Sequence, residues 1–208
     1  MDVVVCGLIG GSGSGKSTLA RSLVETLGHD EVAVLPLDAY YRDMDHLDTT
    51  VRSGINWDHP DSLEVEMYVE HLDGLRGGRA VGVPIYDFSR HRRTGQWIMV
   101  EPRPYVVAEG VLLGASAAIR RRLDLTVFLD VPERVRFARR LRRDVAERGR
   151  TPADVERQFR ESVAPMHRLF VQPSSTTSDL VVDHPWDQRQ LTEELVRSLR
   201  EAKSSTVV

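Results

Sequence analysis

The chain has 208 residues, a formal net charge of −3, 41% hydrophobic residues and 28% charged residues. These values predict one soluble globular domain over residues 1–208, with room for a buried core. The near-neutral charge gives no electrostatic footprint for nucleic acid, and no apolar run is long enough to cross a membrane. Cys6 is the only cysteine and lies in an apolar run, which favours a buried thiol in a reducing, cytoplasmic environment.

Short apolar runs alternate with longer amphipathic segments, and this alternation predicts an α/β fold with helices packed around a parallel sheet. Buried strands are predicted at residues 3–9, 32–37, 105–108, 125–129 and 180–182. Helices are predicted at residues 16–27, 63–75, 115–122, 132–147, 152–170 and 187–202. Pro165 removes a backbone donor inside the fifth helix, so we expect a kink or a split there.

Three segments depart from this alternation. In residues 79–101, apolar residues alternate with others ahead of a Thr94–Gly95 turn, which predicts a two-stranded β-hairpin projecting from the sheet. Residues 42–56 have no clear periodicity and are predicted to form a mobile loop. Residues 203–208 are predicted to form a frayed tail.

A glycine-rich loop joins the first predicted strand to the first predicted helix. Gly10, four further residues, and then Gly15, Lys16 and Ser17 complete the pattern G-x-x-x-x-G-K-[ST]. In such a loop the backbone N–H groups surround phosphate oxygens, the lysine reaches the β- and γ-phosphates of ATP, and the serine hydroxyl ligates Mg²⁺. The predicted phosphate-binding residues are Gly11, Ser12, Gly13, Ser14, Gly15, Lys16, Ser17 and Thr18. The alternative is a flexible glycine–serine turn at the start of a helix.

Lysine occurs only twice, at Lys16 and Lys203, and arginine supplies all the other positive side chains. Because a compact ammonium and a planar guanidinium are not equivalent, this usage indicates that position 16 needs a point charge.

Two carboxylates follow buried strands, at the edge of the sheet where ligands gather. Glu109 follows the strand at residues 105–108 and is a candidate for holding Mg²⁺, directly or through water. Asp38 follows the strand at residues 32–37 and is a candidate to accept the proton of an attacking hydroxyl and to lie beside the metal. Simpler interpretations are a surface glutamate at 109 and a turn or helix cap at 38.

Two clusters combine aromatic rings with polar groups. One contains Trp57 and Asp58, and the other contains Tyr86, Phe88 and His91. Aromatic faces suit a flat ring, and an aspartate suits a pair of vicinal hydroxyls. Loop aromatics are also common without any ligand, and Asp58 or Asp61 suits a cap for the helix predicted from residue 63.

The helix predicted at residues 132–147 is rich in arginine, and residues 132–150 contain eight arginines. One face of this helix carries Arg136, Arg140 and Arg143. The stripe predicted to face the core consists of Ala138, Leu141 and Val145. Because Gly149 and Pro152 break the helix, residues 143–157 are predicted to form a lid whose arginines close over ATP and stabilise the transferring phosphoryl group. The alternatives are a solvated face, paired with Glu133, Asp144 and Glu147, and a nucleic-acid patch, which the lack of interleaved aromatic residues disfavours.

Eight segments, in chain order, carry a resemblance to a known family: GGSGSGKST, LDAYYR, NWDHPDS, PIYDFSRH, VVAEG, RRLRRDVAERGR, MHRLFVQPS and SDLVV. Through them the chain resembles the uridine kinase (uridine–cytidine kinase) family over nearly its whole length. The resemblance implies a three-layer P-loop kinase fold with an arginine-bearing lid and a projecting β-hairpin. It implies that ATP and Mg²⁺ are used to phosphorylate the 5′-hydroxyl of uridine or cytidine in pyrimidine salvage. Because the family is commonly tetrameric, a homo-oligomer is compatible with it.

The family pattern also implies individual roles. It places the catalytic aspartate on Asp38, the ribose-binding aspartate on Asp58 and the magnesium-side glutamate on Glu109. Beside Lys16, the phosphates are covered by Arg143 and Arg148. The implied nucleoside contacts are Tyr41, Trp57, Asp58, Tyr86, Phe88, His91, Arg140, Arg150 and Gln158. Trp57 departs from the pattern, because phenylalanine or tyrosine is usual there.

Two other functions remain open. A phosphoribulokinase-like or pantothenate kinase-like enzyme keeps the fold and the chemistry but changes the acceptor, and the aromatic residues beside His91 argue against it. A P-loop switch module that hydrolyses its nucleotide slowly needs an Asn-Lys-x-Asp element to read guanine, and neither lysine of the chain lies in such an element.

His91 is expected to decide which base is accepted. Uracil presents a carbonyl at position 4 and cytosine presents an amine, and a neutral histidine offers a donor or an acceptor according to its tautomer. We therefore expect both uridine and cytidine to be substrates, and purine nucleosides to be excluded by the slot around Tyr86 and Phe88. Asp58 is expected to make 2′-deoxynucleosides poor acceptors. The alternative is that His91 is merely an exposed residue of the hairpin.

Overall fold

The computed structural model describes residues 2–44, 47–48, 51, 54–88 and 90–205. Its strands are β1 (Val4–Gly10), β2 (Val32–Pro36), β3 (Val81–Asp87), β4 (Arg92–Val100), β5 (Tyr105–Gly110), β6 (Leu125–Asp130) and β7 (Leu180–Asp183). Five of them form one parallel sheet in the order β2–β5–β1–β6–β7, and β3 and β4 form a separate antiparallel pair. The predicted parallel sheet is therefore confirmed.

The helices lie on both faces of this sheet. They are α1 (Lys16–Leu27), α2 (Val65–Arg76), α3 (Ala117–Arg120), α4 (Glu133–Arg148), α5 (Pro152–Gln158), α6 (Ala164–Met166) and α7 (Gln188–Ser205). Helices α1 and α7 cover one face, and α2 covers the other together with residues of β3. Among the described residues, no helix is both long and apolar enough to cross a membrane.

The central strand β1 explains why the fold has three layers. All seven of its residues are buried, and its side chains alternate between the two faces of the sheet. Val4, Cys6 and Leu8 pack with α1 and α7, whereas Val5 and Ile9 pack with α2. A strand that is apolar on both sides needs a helical layer on each side, which this topology provides.

The strand register brings three loops to one edge of the sheet. Glu109 of β5 lies opposite both Leu8 of β1 and Pro36 of β2. The glycine-rich loop that follows Gly10 and the turn that contains Asp38 therefore start beside Glu109. Because the three strands are parallel, their carboxyl ends meet, and ligands of this fold class bind at that edge.

The predicted hairpin is formed by β3 and β4, but its turn is not where the sequence pattern placed it. Asp87 pairs with Arg92, so the chain reverses between these residues, and Thr94 and Gly95 lie inside β4. Gly95 has a positive φ of 77° at the point where the register shifts between Pro84 and Tyr86. A glycine in this conformation marks an irregularity of the ladder as readily as a turn, which explains the misplaced prediction.

Other predicted boundaries differ from the structure in detail. The stretch predicted as one helix at residues 152–170 stays helical around Pro165, but α6 is flanked by wider π-helical turns at Phe159–Val163 and His167–Val171. Wider turns of this kind accommodate a proline that lacks a backbone donor. The loop predicted at residues 42–56 lies partly outside the described residues. Helix α7 continues to Ser205, and the remainder of the predicted frayed tail lies outside them as well.

Candidate active site

The glycine-rich loop (the P-loop) connects β1 to α1, and helix α4 packs closely against it. Lys16 is buried, and its Nζ donates to the carbonyl oxygens of Gly10 and Gly11 at 3.0 and 3.1 Å. Gly13 has a φ of 82°, and a side chain there would collide with the carbonyl oxygen of Arg136. Only glycine fits this close approach of two backbones, so the loop is a built structure rather than a flexible turn.

Helix α4 packs beneath this loop with a polar stripe, and the predicted core stripe is wrong. Its buried residues are Arg136, Arg140 and Asp144, whereas Ala138 is exposed and Val145 is 39% exposed. The reason is that α4 packs against the P-loop. The backbone carbonyl and hydroxyl oxygens of this loop accept hydrogen bonds from guanidinium groups, which aliphatic side chains cannot donate. Arg140, for example, donates to Oγ of Ser12 at 2.9 Å.

Asp144 holds the arginines of this region together. It is fully buried, and its carboxylate lies 2.8 Å from Arg143, 3.4 Å from Arg140 and Arg148, and 3.7 Å from Arg150. Burial opposes ionisation of Asp144, yet these guanidinium groups outweigh it and keep the pKa of the carboxyl below its ordinary value. The interpretation of Asp144 as part of a solvated face is therefore wrong. It is the counter-charge of the predicted lid.

A carboxylate and a hydroxyl meet at the strand edge beside Lys16. Oγ of Ser17 donates to Oε1 of Glu109 at 3.1 Å. Burial raises the pKa of Glu109, Lys16 opposes this effect, and the negative charge of Asp38 adds to it. In the described part of the chain, no group of three His, Cys, Asp or Glu side chains could hold a metal ion by itself. The donor set of Ser17, Glu109 and Asp38 nevertheless fits Mg²⁺, which is commonly bound by one or two carboxylates with substrate phosphates and water.

Aromatic rings form the other end of the site. Tyr41 lies 5.2 Å from Tyr86 and 5.9 Å from Trp57, measured between ring centroids, and Tyr86 lies 5.2 Å from Phe88. Arg148 extends from the end of α4 and places its guanidinium 4.4 Å from the centre of the Phe88 ring. Oη of Tyr86 is buried without a hydrogen-bond partner within the described chain. Such an orphaned hydroxyl indicates a place where a ligand completes the site.

His91 belongs to this aromatic cluster and is not a free hairpin residue. Its ring stacks on Trp57 with centroids 5.3 Å apart and an interplanar angle of 18°. Burial, followed by the charges of Arg150 and Arg148, lowers its pKa to about 4, so the ring is neutral at pH 7. Nη2 of Arg150 lies 3.2 Å from Nε2 of His91. Because a guanidinium only donates, Nε2 accepts and the ring proton is on Nδ1. The Arg150 contact therefore favours one of the two tautomers that the sequence leaves open.

Asp58 does not cap a helix. The residue before α2 is Glu64, and the turn at Pro60–Ser62 is capped by the ring of His59, which accepts from the backbone N–H of Asp61. Asp58 instead faces the cavity, and its Oδ2 lies 2.6 Å from Oγ of Ser162. The cap interpretation is therefore excluded, and the carboxylate remains available to a ligand.

A single cavity of about 540 Å³ joins these groups. All predicted site residues line it except Gly11 and Ser14, which belong to the P-loop itself. Seven basic side chains line it against four acidic ones, counted over the part of the chain that the structure describes. This excess of positive charge suits a polyanion such as a nucleoside triphosphate.

A second, smaller cavity of about 310 Å³ opens beside the P-loop, and its residues Arg139, His184 and Trp186 are not among the site residues predicted from the sequence. Arg139 of α4 donates to the carbonyl oxygen of Ser14 at 3.3 Å and lies 3.3 Å from Nε2 of His184. Trp186, which follows β7, closes the other side. A guanidinium, an imidazole and an indole around one space suit a flat ring such as adenine. The sequence feature that indicates this cavity is the position of Trp186 shortly after the carboxyl end of a predicted strand.

Comparison with known proteins supports the architecture. A sequence model of the Phosphoribulokinase / Uridine kinase family matches residues 5–189. The chain is 42% identical to a uridine kinase of Shewanella pealeana over 185 residues, covering 87% of this chain and 88% of that protein. It is 43% identical to a uridine kinase of Deinococcus deserti over 180 residues, covering 86% and 87%. The solved D-glycerate 3-kinase of Cryptococcus neoformans superposes with a TM-score of 0.62 at 17% identity, covering 88% of this chain and 86% of that one, which concerns the fold alone.

We predict that Asp144→Ala strongly destabilises the protein. Removal of the carboxylate leaves four arginines packed against one another without their counter-charge, which should lower the free energy of unfolding by about 3 kcal/mol. Urea denaturation followed by circular dichroism measures the loss. The control is Asp183→Ala, an exposed aspartate of β7, which should change the stability by less than about 0.5 kcal/mol. Equal losses in the two variants would contradict the role of Asp144.

We also predict that His167 makes the fold sensitive to acid. Burial, with the charges of Arg136 and Lys16, lowers its pKa from 6.5 to about 4. In the unfolded chain His167 becomes protonated below about pH 6.5, whereas in the folded chain it stays neutral down to about pH 4. The free energy of unfolding therefore decreases as the pH falls through this range. When the pH is lowered from 7.5 to 5.0, the free energy of unfolding should decrease in both proteins, and the decrease should be about 2 kcal/mol smaller in His167→Gln than in the wild type.

Urea denaturation at the two pH values measures this difference. His29→Gln, which changes an exposed histidine, serves as the control and should follow the wild type. If His167→Gln shows the same pH dependence as the wild type, the neutral form of His167 does not contribute to acid sensitivity.

Proposed function

We propose that this chain, which belongs to the Phosphoribulokinase / Uridine kinase family, transfers the γ-phosphoryl group of ATP to the 5′-hydroxyl of a pyrimidine ribonucleoside. The reaction makes UMP from uridine and CMP from cytidine, as a step of pyrimidine salvage in the cytoplasm. The observation that carries the proposal is the single cavity that joins the P-loop to an aromatic pocket. A kinase needs these two ends to be continuous, because its catalysis consists largely of positioning the two substrates.

At the phosphate end, Lys16 is the proposed contact of the β- and γ-phosphates. Its present acceptors are two carbonyl oxygens of the loop, which phosphate oxygens would replace as stronger, charged acceptors. Ser17, Glu109 and Asp38 are the residues that would hold Mg²⁺. When bound, the ion neutralises the charge that develops on the phosphoryl oxygens. The adenine ring is proposed to occupy the smaller cavity between Arg139 and Trp186.

Asp38 is the proposed base. Its charge acts both on Lys16 at the phosphate end and on the hydroxyl of Tyr41 at the nucleoside end, and all three residues line the same cavity. A carboxylate that lines the cavity near both groups accepts the proton of the 5′-hydroxyl as that oxygen attacks the γ-phosphorus. In a loose transition state this contribution is mainly one of orientation.

The aromatic end is proposed to hold the nucleoside. Four aromatic side chains surround the flat base: Tyr41, Trp57, Tyr86 and Phe88. The base supplies the hydrogen-bond partner that the buried hydroxyl of Tyr86 otherwise lacks among the described residues. Asp58 accepts from the ribose diol. The remaining wall consists of Arg140, Arg150 and Gln158. Both arginines donate hydrogen bonds to the side-chain oxygen of Gln158, which connects the three side chains.

Residues 143–157 are proposed to act as the lid. Gly149, in a left-handed conformation with a φ of 63°, separates α4 from α5. Arg143 and Arg148 lie before it and Arg150 lies after it, so movement at this turn would bring arginines toward both substrates. Their role is to stabilise the charge of the transferring group.

The test is a coupled assay of ATP consumption with uridine, cytidine, adenosine, ribulose 5-phosphate and pantothenate. Uridine and cytidine should be phosphorylated and the other three should not. Lys16→Ala should nearly abolish turnover, and Asp38→Asn should lower kcat by about 10²–10⁴-fold with little change in nucleoside binding. Phosphorylation of ribulose 5-phosphate or pantothenate alone would reassign the acceptor, and a normal kcat for Asp38→Asn would remove its role as base.

His91 provides the prediction about base selectivity. With its proton on Nδ1, the ring offers a donor that suits O4 of uracil, whereas the amine of cytosine requires the other tautomer and loss of the Arg150 contact. Both pyrimidines should therefore be substrates, with kcat/KM for uridine higher by about tenfold. His91→Ala should lower kcat/KM for both by about 5–100-fold, the effect of losing one buried hydrogen bond. The control is His29→Ala. Unchanged values for both pyrimidines in His91→Ala would place His91 outside the binding pocket.

A further inference from the structure

Ser162 lies on the π-helical stretch Phe159–Val163 and lines a neighbouring cavity that shares Trp57, His91, Arg150 and Gln158 with the site cavity. It contacts the proposed ribose-binding carboxylate. Its Oγ is 2.6 Å from Oδ2 of Asp58. We propose that Ser162 is a positioning residue that fixes the Asp58 carboxylate and thereby sets the selectivity for ribose over 2′-deoxyribose. This inference rests on the proposed function, because it assumes that Asp58 reads the diol.

The direction of this hydrogen bond follows from the donors and acceptors present. Oγ of Ser162 lies close to two oxygens, Oδ2 of Asp58 at 2.6 Å and Oδ1 of Asn56 at 2.8 Å. The Asn56 oxygen already accepts from the backbone N–H of Asp58 at 3.1 Å. A hydroxyl has a single proton, and a charged carboxylate is the stronger acceptor, so the proton is donated to Asp58.

Asp58 depends on this contact because nothing else that the structure describes holds its carboxylate by a hydrogen bond. It lies in a loop, it caps no helix, and its other oxygen, Oδ1, has no hydrogen-bond partner among the described residues. The charge of Asp58 acts on Arg140 across the cavity, but it is not hydrogen-bonded to that guanidinium. Ser162 therefore engages one carboxylate oxygen and leaves the other for the ribose.

Ser162 itself is held by packing. Its neighbours Val163 and Ala164 are buried and form a small core with Phe159 and with Phe137 of α4. Gln158, four residues before Ser162, accepts hydrogen bonds from Arg140 and Arg150. One continuous helical stretch thus contacts Arg140, Arg150 and the carboxylate of Asp58. Precise placement of this kind is what discrimination against a missing hydroxyl requires.

The test compares uridine with 2′-deoxyuridine in Ser162→Ala. The variant should raise KM for uridine by about tenfold, change kcat by less than about threefold, and leave KM for 2′-deoxyuridine within about twofold, so that the selectivity between them falls by about tenfold. Ser162→Thr keeps the hydroxyl and should restore the wild-type selectivity. Ser198→Ala removes a hydroxyl that bonds to a helix carbonyl in α7 and controls for the loss of a helical serine.

A double-mutant cycle with Asp58→Ala separates positioning from general damage. In that background Ser162→Ala should change neither KM by more than about twofold, because its partner is already absent. Equal losses for uridine and 2′-deoxyuridine, or an effect that persists without Asp58, would assign Ser162 a structural role and overturn the inference. If Ser162→Ala unfolds, the nearly isosteric Ser162→Cys, a weak donor, replaces it and should show the same selective loss.

The acceptors that the wild-type enzyme uses separate a failure of the Ser162 proposal from a failure of the proposed function. If the wild type phosphorylates uridine and Ser162→Ala keeps the wild-type selectivity, the proposed function stands and the inference falls. If the wild type uses uridine and 2′-deoxyuridine equally well, Asp58 does not read the diol and the inference falls. If it phosphorylates neither, the proposed function falls and takes the inference with it.

Discussion

The interaction on which the site depends is the buried pairing of Asp144 with four arginines. Guanidinium groups so close together repel one another, and an arginine-bearing helix pressed against the P-loop would be unstable without a counter-charge. Asp144 supplies that charge from the same helix, between Arg140 and Arg148, and it is fully buried. One carboxylate does not neutralise four cations. The remaining positive charge faces the cavity, where a bound triphosphate would compensate it.

The sheet supplies the second constraint. The registers of β1, β2 and β5 place the P-loop, Asp38 and Glu109 at one edge, and this edge exists only because the strands are parallel. The aromatic end of the cavity comes from elsewhere: from β3, from the turn before β4 and from the loop before α2. The aromatic end is thus assembled from β3 and two connecting segments, whereas the sheet fixes the end that contains the P-loop. This division explains why one fold can serve different phosphoryl acceptors.

The strand and helix pattern and the P-loop could be predicted, because they leave a local signal in apolar periodicity or in a motif. Several residues around the cavity, such as Tyr41, Arg150 and Gln158, are predicted only through the resemblance to the uridine kinase family. The burial of α4 could not be predicted. Periodicity assigns apolar residues to the core, but the neighbour of this helix is a polar loop, so Arg136, Arg140 and Asp144 are buried while Val145 is exposed. Ser162 could not be predicted either. It is 104 residues away from Asp58 in sequence, and a lone serine in a helical segment carries no signal of its partner.

The polar atoms that remain unpaired show what the site still lacks. Six side-chain atoms are buried without a hydrogen-bond partner among the described residues, but two of them, Nε of Arg140 and Oδ2 of Asp144, form an ion pair with each other at 3.4 Å. Of the other four, Oη of Tyr86 belongs to a residue that lines the site cavity. Each such atom costs stability, and folded proteins rarely keep them without a reason. Folding thus leaves the hydroxyl of Tyr86 unpaired where a ligand can pair it. Ligand binding should therefore stabilise the whole fold, because it satisfies a buried group that the described chain alone does not pair.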